Sequence, residues 1–338
     1  MELVEGYDHQ SGVHCGAAAL RNVTEYYGWH YSEAACFGIG GGPTFVLYEN
    51  PDEPWVTFRT TPAWLEQAFL ERAGVPHRFQ QGEAFETAWE HVTGHVDEDD
   101  PVILLLDPEP LDYLPSPPHH LPPHVAVVVG YDDETVRLSD GASEEIQEVS
   151  PETLADAWTH DRFMSLRNEY LVVTRAARTE DGTDAAAAGL RQTATYMLDP
   201  LQIKRDARGP GEEGLDALRS FADYLGTWPD LPKPARPVEA ARRSIDEHGD
   251  GTAFRSLYAE ALEELGRRTG IEHEFGDRMA SVGREWESVA ARLDEILAQE
   301  EPRSATFEEA ATLVGDIADR EEALYEDLLD ELGASEIR

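Results

Sequence analysis

Hydrophobic and polar positions follow different periods in the two halves of the chain. In the first half, a continuous apolar run at 101–107 and a β-branched run that begins at His124 are typical of buried strands. Apolar residues at helical spacing precede them, at 61–73 and 84–92. Beyond about residue 190 only the helical spacing is found. The pattern therefore predicts an α+β first half and an all-α second half.

The second half is predicted to consist of amphipathic helices without strands. The segments that carry this pattern are 211–227, 236–248, 252–269, 272–299 and 305–333. A polar, alanine-rich stretch at 178–189 comes before them and is interpreted as a linker. The sequence therefore predicts two domains, 1–178 and 179–338, as expected for a chain of 338 residues.

A candidate nucleophile, Cys15, lies where a loop is predicted to enter a helix. Four small residues follow the cysteine, and apolar residues then recur at helical spacing at Leu20, Val23 and Tyr27. Unpaired N–H groups and the positive end of the helix dipole lower the pKa of a thiol placed there. The resulting thiolate is a nucleophile. The alternative interpretation is a buried structural cysteine.

A predicted hairpin brings a histidine and an aspartate together. If the turn is centred near Asp132, His124 lies opposite Asp140, and paired Cβ atoms are about 5 Å apart. A turn one or two residues different in length would shift the register by as much. The imidazole would take the thiol proton, and the carboxylate would fix its tautomer. Alternatively, His124 only ends a strand and Asp140 only begins an Asp-Gly turn.

The glycine-rich stretch Gly38–Gly42 follows a short predicted helix that Ser32 would cap. The stretch lacks the Lys-Ser/Thr pair of a phosphate-binding loop, so nucleotide binding is not favoured. We expect instead a tight turn that lines a pocket near Cys15, with Gly40 and Gly41 in contact with substrate.

The charge of the chain indicates its environment more than its partner. Lys+Arg number 27 against 68 Asp+Glu, which gives a net charge of −41, and yet 41% of residues are hydrophobic. A folded, acidic, lysine-poor chain is typical of a halophilic protein from a cytoplasm that holds molar salt, where the Debye length of about 3 Å screens self-repulsion. Such a charge argues against a nucleic-acid partner.

Two cysteines make a disulfide framework improbable and agree with a reduced, cytoplasmic location. No apolar run approaches the length of a membrane span and no signal peptide opens the chain, so we expect no membrane association. Histidines near Cys15 and at His119 and His120 suggest zinc, but the spacings of known zinc motifs are missing. We therefore predict neither a metal nor a cofactor.

Three segments resemble the N-terminal domain of the butirosin biosynthesis protein H family. They are GVHCGAAALRN at Gly12–Asn22, SEAACFGIGGG at Ser32–Gly42 and HVAVVVGYDD at His124–Asp133. The resemblance covers roughly residues 8–175, and a more distant one links the chain to bacteriocin-processing cysteine peptidases. It implies a papain-like α+β fold and acyl transfer. In the butirosin case, a γ-glutamyl-aminobutyryl group passes from an acyl carrier protein to an aminoglycoside amine.

The motifs of this family put the nucleophile on Cys15, the base on His124 and the orienting acid on Asp140. Gln10 is a candidate donor to an oxyanion, together with the backbone N–H of Cys15. Gln10 lies five residues before the cysteine, whereas the bacteriocin-processing peptidases usually have six. His9 and His14 are the alternatives, with His14 also a candidate for substrate contact.

The segment around Arg255 resembles the helical domain that often follows this N-terminal domain. Arg255 is a candidate partner for a substrate carboxylate, and the alternative is a surface or interdomain salt bridge. The acidic final helices form either a solvated face or the seam of a homodimer.

Three function classes follow. The first is a cysteine-dependent acyltransferase that takes an acyl group from an acyl carrier protein, or from another thioester donor, and passes it to a small-molecule amine. The second is a related peptidase or amidohydrolase. The third is a non-catalytic binding protein on the same fold.

Overall fold

The structure is a computed structural model, and its described residues are 3–48, 55–114, 123–160, 166–173, 182–200, 211–271, 274–300 and 303–335. The helices of this part are α1 (Cys15–Tyr26), α2 (Glu33–Gly40), α3 (Trp64–Arg72), α4 (Phe85–Asp97), α5 (Pro151–Trp158), α6 (Gly182–Leu198), α7 (Gly214–Leu225), α8 (Ala235–Asp246), α9 (Arg255–Thr269), α10 (Glu274–Leu297) and α11 (Ser304–Ser335). The strands are β1 (Pro43–Tyr48), β2 (Trp55–Arg59), β3 (His77–Gln80), β4 (Val102–Leu106), β5 (His124–Tyr131), β6 (Val136–Ser139), β7 (Gln147–Val149), β8 (Thr159–His160), β9 (Leu166–Arg167), β10 (Tyr170–Val173) and β11 (Glu212–Glu213).

The predicted helices and strands are largely confirmed. The short helix α2 begins after Ser32, whose Oγ accepts a hydrogen bond from the N–H of Ala35 at 2.9 Å. The segments 61–73, 84–92 and 101–107 contain α3, most of α4, and β4. The five helical segments predicted in the second half are α7 to α11. No helix among the described residues is long and apolar enough to cross a membrane.

The chain forms two compact units, one made of 1–40 and 61–185, the other of 41–60 and 186–338. The first unit has an α+β fold built on an antiparallel six-stranded sheet in the order β3-β10-β4-β5-β6-β7. In β4, Val102, Leu104 and Leu106 belong to the core beneath α4 and α5. Ile103 and Leu105 are buried on the opposite face, which explains the continuous apolar run.

The hairpin of β5 and β6 differs from the predicted register by two residues. Val127 pairs with Ser139, so the same register continued places Asp140 opposite Ala126 rather than His124. The difference comes from a longer turn, in which the N–H of Asp132 bonds the carbonyl of Thr135 at 2.8 Å, and from an irregularity after Val128. Because side chains alternate with period two, a shift of two leaves His124 and Asp140 on one face.

The second unit contains the segment 41–60, although the predicted first domain, 1–178, includes this segment. This segment forms the hairpin of β1 and β2, and the two-residue strand β11 pairs with β1. Helix α7 packs on β1 and helix α8 on β2, so the hairpin lies in the helical core. The expectation that no strand follows residue 190 is therefore wrong at β11. Two glutamates carry no alternation that would reveal a strand.

The interpretation of 178–189 as a linker is also wrong where the structure describes it. Helix α6 begins at Gly182, and Ala186, Leu190, Ala194 and Met197 are buried at helical spacing. Alanine has the highest helix propensity, so a run of small residues forms a helix as soon as one face is covered. Residues 174–181, which include the start of the predicted linker, lie outside the described part.

Candidate active site

Cys15 begins helix α1, as predicted. His14 is the N-cap with an extended backbone, φ −121° and ψ 111°, and its Nδ1 accepts a hydrogen bond from the N–H of Ala17 at 3.1 Å. Cys15 is 8% exposed. A thiol at the N-terminus of a helix of 12 residues lies near the positive end of its dipole, which favours the thiolate. Cys36 is fully buried in α2.

His124 and Asp140 form the pair that the hairpin predicts. Nε2 of His124 lies 2.7 Å from Oδ2 of Asp140, with the Asp140 side chain fully buried and that of His124 13% exposed. A carboxylate only accepts, so Nε2 donates to it. The thiol of Cys15 is a second hydrogen-bond partner of the imidazole. Because Nε2 is occupied, Nδ1 is the nitrogen left for Cys15.

The charges of this pair reinforce each other. Burial lowers the pKa of His124, but the Asp140 carboxylate and hydrogen bonds to Asp140 and Cys15 raise that pKa to about 10. Burial raises the pKa of Asp140, and the charge of His124 with three hydrogen bonds brings it below its ordinary value. At neutral pH, His124 is therefore an imidazolium beside an ionised Asp140. This state stabilises a thiolate on Cys15.

Tyr113 is a member of the site that sequence reasoning missed. Its hydroxyl donates to Oδ2 of Asp140 at 2.7 Å, and the N–H of Ala142 donates to Oδ1 at 2.9 Å. Burial raises the pKa of Tyr113 far above its ordinary range, as does the charge of Asp140, so the hydroxyl keeps its proton. Tyr113 lies in a proline-rich segment without period, where no local pattern indicates its partner 27 residues away.

The segment before Cys15 is bonded along its length to the turn that holds Asp140. The N–H of Gly12 donates to the carbonyl of Gly141 at 2.8 Å. Nε2 of His9 lies 3.0 Å from the carbonyl of Ser143, and Nδ1 lies 2.8 Å from Oγ of Ser139. A carbonyl only accepts, so Nε2 of His9 carries the proton and Nδ1 accepts from Ser139. Both nitrogens of His9 are thus occupied, which leaves this residue no donor for an oxyanion.

Gln10, the candidate oxyanion donor, lies at the surface, whereas His14, the candidate substrate contact, is buried. Gln10 is exposed, and its backbone carbonyl accepts a hydrogen bond from Asn22 at 2.9 Å. Among the described residues, no hydrogen bond joins its side chain to Cys15 or His124. The His14 ring is buried at 2% exposure and packs on the ring of Phe37 with centroids 4.9 Å apart. His14 caps the helix rather than lining a surface.

Gly40 and Gly41 serve the fold rather than a substrate pocket. Helix α2 continues through Gly40, where a Cβ would lie 2.7 Å from Cγ of Leu65 on α3. The absence of a side chain lets the two helices approach. Gly41 has φ +99°, and its carbonyl accepts a hydrogen bond from the hydroxyl of Thr60 at 2.9 Å. The predicted tight turn is therefore confined to Gly41 and Gly42.

Arg255 is not placed to bind a substrate carboxylate. The residue is fully buried in the second unit and donates twice to Glu321, at 2.8 and 3.0 Å. Its guanidinium lies 5.8 Å from the ring centroid of Phe58 and 5.9 Å from that of Trp286. The salt-bridge alternative is the one that the structure supports, in a buried rather than a surface position. The partner could not be predicted, because 66 residues separate it from Arg255.

Among the described residues, the group of side chains that could hold a metal ion does not include Cys15. His95, Glu98 and Asp100 have one ligand atom each within 4.8 Å of one another, at the end of α4. His119 and His120, which suggested zinc in the sequence, lie outside the described residues.

Two family models match this chain. The model of butirosin biosynthesis protein H, N-terminal, matches residues 14–141, a range that includes Cys15, His124 and Asp140. The model of a domain of unknown function, DUF4872, matches residues 152–328. A crystal structure described as a C39-like peptidase from Bacillus anthracis is similar over 52% of this chain and 98% of its own, at 13% identity and a TM-score of 0.39. No curated protein matches the sequence.

Proposed function

This chain belongs to the family in which the N-terminal domain of butirosin biosynthesis protein H is followed by the domain DUF4872, and we propose that it is a papain-like cysteine enzyme that transfers an acyl group from a thioester to an amine. One observation carries the proposal. A thiol at a helix N-terminus contacts an imidazole whose other nitrogen is bonded to a buried carboxylate. This is the arrangement of a nucleophile, a general base and an orienting acid.

In the first step, the Cys15 thiolate attacks the carbonyl carbon of the donor thioester. A new C–S bond forms, and the carbonyl electrons move to oxygen. Collapse of this intermediate breaks the donor C–S bond, and the departing thiolate takes the proton from the His124 imidazolium. The products of this step are a free donor thiol, a neutral His124 and an acyl group on Cys15.

In the second step, an amine attacks the acyl group on Cys15. Neutral His124 accepts the proton of the amine at Nδ1, and collapse expels the Cys15 thiolate, which restores the thiolate–imidazolium pair. Asp140 keeps the Nε2 proton in place, so that the lone pair of Nδ1 faces the reacting atoms. Three donors to Asp140, from His124, Tyr113 and Ala142, hold the carboxylate in this orientation.

The oxyanion of both steps needs donors near the thiol. The backbone N–H of Cys15 is proposed as one of them, because it belongs to the first turn of α1. The Gln10 side chain is proposed as the second, since it lies on the segment that enters α1 and is exposed. An acyl carrier protein or another thioester is the proposed donor, and a small-molecule amine is the proposed acceptor.

Intact-protein mass spectrometry with a short-chain acyl N-acetylcysteamine thioester tests the proposal. We expect a single acyl adduct on the wild type, retained in Cys36→Ser and lost in Cys15→Ala. Added amines should discharge the adduct faster than water does. Equal discharge by water alone would support the amidohydrolase alternative, because the same base activates water. The absence of an adduct, or an adduct on Cys36, would contradict the proposal.

A further inference from the structure

Two charged side chains, Glu33 and Arg21, form hydrogen bonds with the backbone of the loop 10–14, which leads into Cys15. Oε1 of Glu33 accepts hydrogen bonds from the backbone N–H groups of Val13 and His14, each at 2.8 Å. Oε2 of the same carboxylate pairs with Nη1 of Arg21 at 3.2 Å. The carboxylate thus bridges the two residues immediately before the nucleophile and the guanidinium of α1.

Arg21 holds the other part of the loop. Its Nη2 donates to the backbone carbonyls of Gln10 and Ser11, the latter at 2.9 Å. Nε and Nη2 also donate to Oδ1 of Asn22, at 3.1 and 3.0 Å. One planar guanidinium therefore orients two carbonyls, an amide and a carboxylate at once. A lysine presents its donors from a single nitrogen and does not reproduce this geometry.

The loop is also bonded to the turn that carries Asp140. Gly12 donates to the carbonyl of Gly141, next to Asp140, and a Cβ at position 12 would lie 2.3 Å from Oε2 of Glu33. The same short segment is thus fixed to α1 through Arg21 and to the turn of the acid through Gly12. The segment thereby links α1, which carries Cys15, to the turn that carries Asp140.

We propose that Arg21 and Glu33 are positioning residues for the thiol–imidazole pair. The inference rests on the proposed function only in taking Cys15 as the nucleophile. Both side chains are largely buried, 14% and 12% exposed, so solvent does little to replace a lost partner. A displacement of about 1 Å in a reacting group can cost about 100-fold in rate. Glu33 also occupies the N–H groups of Val13 and His14, which excludes them as oxyanion donors.

Alkylation of Cys15 by iodoacetamide as a function of pH tests the proposal without any thioester donor. The variants are Arg21→Lys and Glu33→Gln, compared in high salt with the wild type and with Arg137→Lys. Arg137 is the matched control, because its ion pairs, to Asp132 in the hairpin turn and to Glu148 on β7 at 3.1 Å each, lie on the six-stranded sheet rather than in the loop. We expect both test variants to react at least ~10-fold more slowly at neutral pH. Their midpoints should move towards the free thiol value of about 8.5.

Labelling of the buried Cys36 reports unfolding in the same samples. If Cys36 becomes reactive in one of the variants, that variant is replaced by Glu33→Asp. Aspartate keeps the negative charge of Glu33 but has a shorter side chain. A profile in Arg21→Lys and Glu33→Gln that equals the wild type would overturn the inference, as would slower reaction that tracks Cys36 exposure in all three variants. If instead the proposed function is wrong and Cys15 is not the nucleophile, the wild type itself would show no preferred reaction at Cys15. The two failures are therefore distinguishable.

Discussion

Replacement of Asp140 by asparagine removes the charge that maintains the imidazolium while keeping the shape of the side chain. In the wild type, burial lowers the pKa of His124, and Asp140 and Cys15 together raise it to about 10. Without the carboxylate, burial is opposed by Cys15 alone. We expect the pKa of His124 in Asp140→Asn to fall to its ordinary value of about 6.5 or below.

The size of the effect follows from the same values. A rise from 6.5 to about 10 corresponds, at 1.36 kcal/mol per unit, to roughly 5 kcal/mol in favour of the imidazolium. Without the imidazolium beside it, the thiol of Cys15 should have a pKa that rises towards about 8.5. At that pKa only a few per cent of the thiol is ionised at pH 7. Alkylation at neutral pH should therefore slow by up to ~30-fold relative to a fully ionised thiol.

The asparagine also affects the tautomer. Its amide N–H can donate to Nε2 of His124, which moves the imidazole proton to Nδ1, on the side of Cys15. In that tautomer the imidazole cannot accept a proton from an attacking amine. Acyl transfer should consequently fall further than alkylation does, by up to about 10⁴-fold if the loss resembles that of the corresponding change in a serine protease.

Two measurements check this prediction, with Asp132→Asn on the same hairpin as the matched control. The first is the pH profile of Cys15 alkylation. The second is the melting temperature against pH. A raised folded-state pKa of His124 contributes stability that is fully present below about 6.5 and is lost as the pH rises through about 10. That loss should disappear in Asp140→Asn and persist in Asp132→Asn. An unchanged alkylation profile would refute the assignment of His124 and Asp140 to the site.

Two further predictions concern the second donor of Asp140 and the charge of the whole chain. Tyr113→Phe leaves Asp140 with one donor fewer and should lower the free energy of unfolding by roughly 1–3 kcal/mol in denaturant titrations, while Cys15 remains reactive. A variant as stable as the wild type would contradict the importance of this bond. We also propose that the protein is halophilic, since a net charge of −41 repels itself once salt no longer screens it. Melting temperatures that are equal in molar and in dilute KCl would count against this.

The position of Cys15 and the pairing of His124 with Asp140 could be predicted because the relevant signals are local. Small residues after Cys15 and apolar spacing beyond them define where α1 begins, and this needs no knowledge of distant partners. The hairpin prediction was wrong in register by two residues, but the pair of His124 and Asp140 was still found. An error of one residue would have moved Asp140 to the other face of the sheet.

The parts that could not be predicted depend on partners far apart in the chain. The hairpin at 41–60 shows a clear strand, yet no local signal tells whether it joins the six-stranded sheet or the helices. Arg255 has the chemistry of a carboxylate ligand, and only the fold shows that its carboxylate is Glu321. The glycine at position 40 indicates a close approach without indicating that Leu65 is the neighbour.

The energetics of the site argue against a vestigial triad or a purely structural cysteine. Asp140 is fully buried and His124 nearly so, and a buried ion pair stabilises a fold weakly because desolvation opposes its attraction. Replacement of a buried ion pair by apolar residues of similar size is often neutral or even stabilising. Three donors are nevertheless directed at Asp140, and a segment bonded to both α1 and the Asp140 turn leads into Cys15. Such an arrangement is explained if the charge is needed at the thiol, since a nucleophilic cysteine requires the imidazolium that this carboxylate maintains.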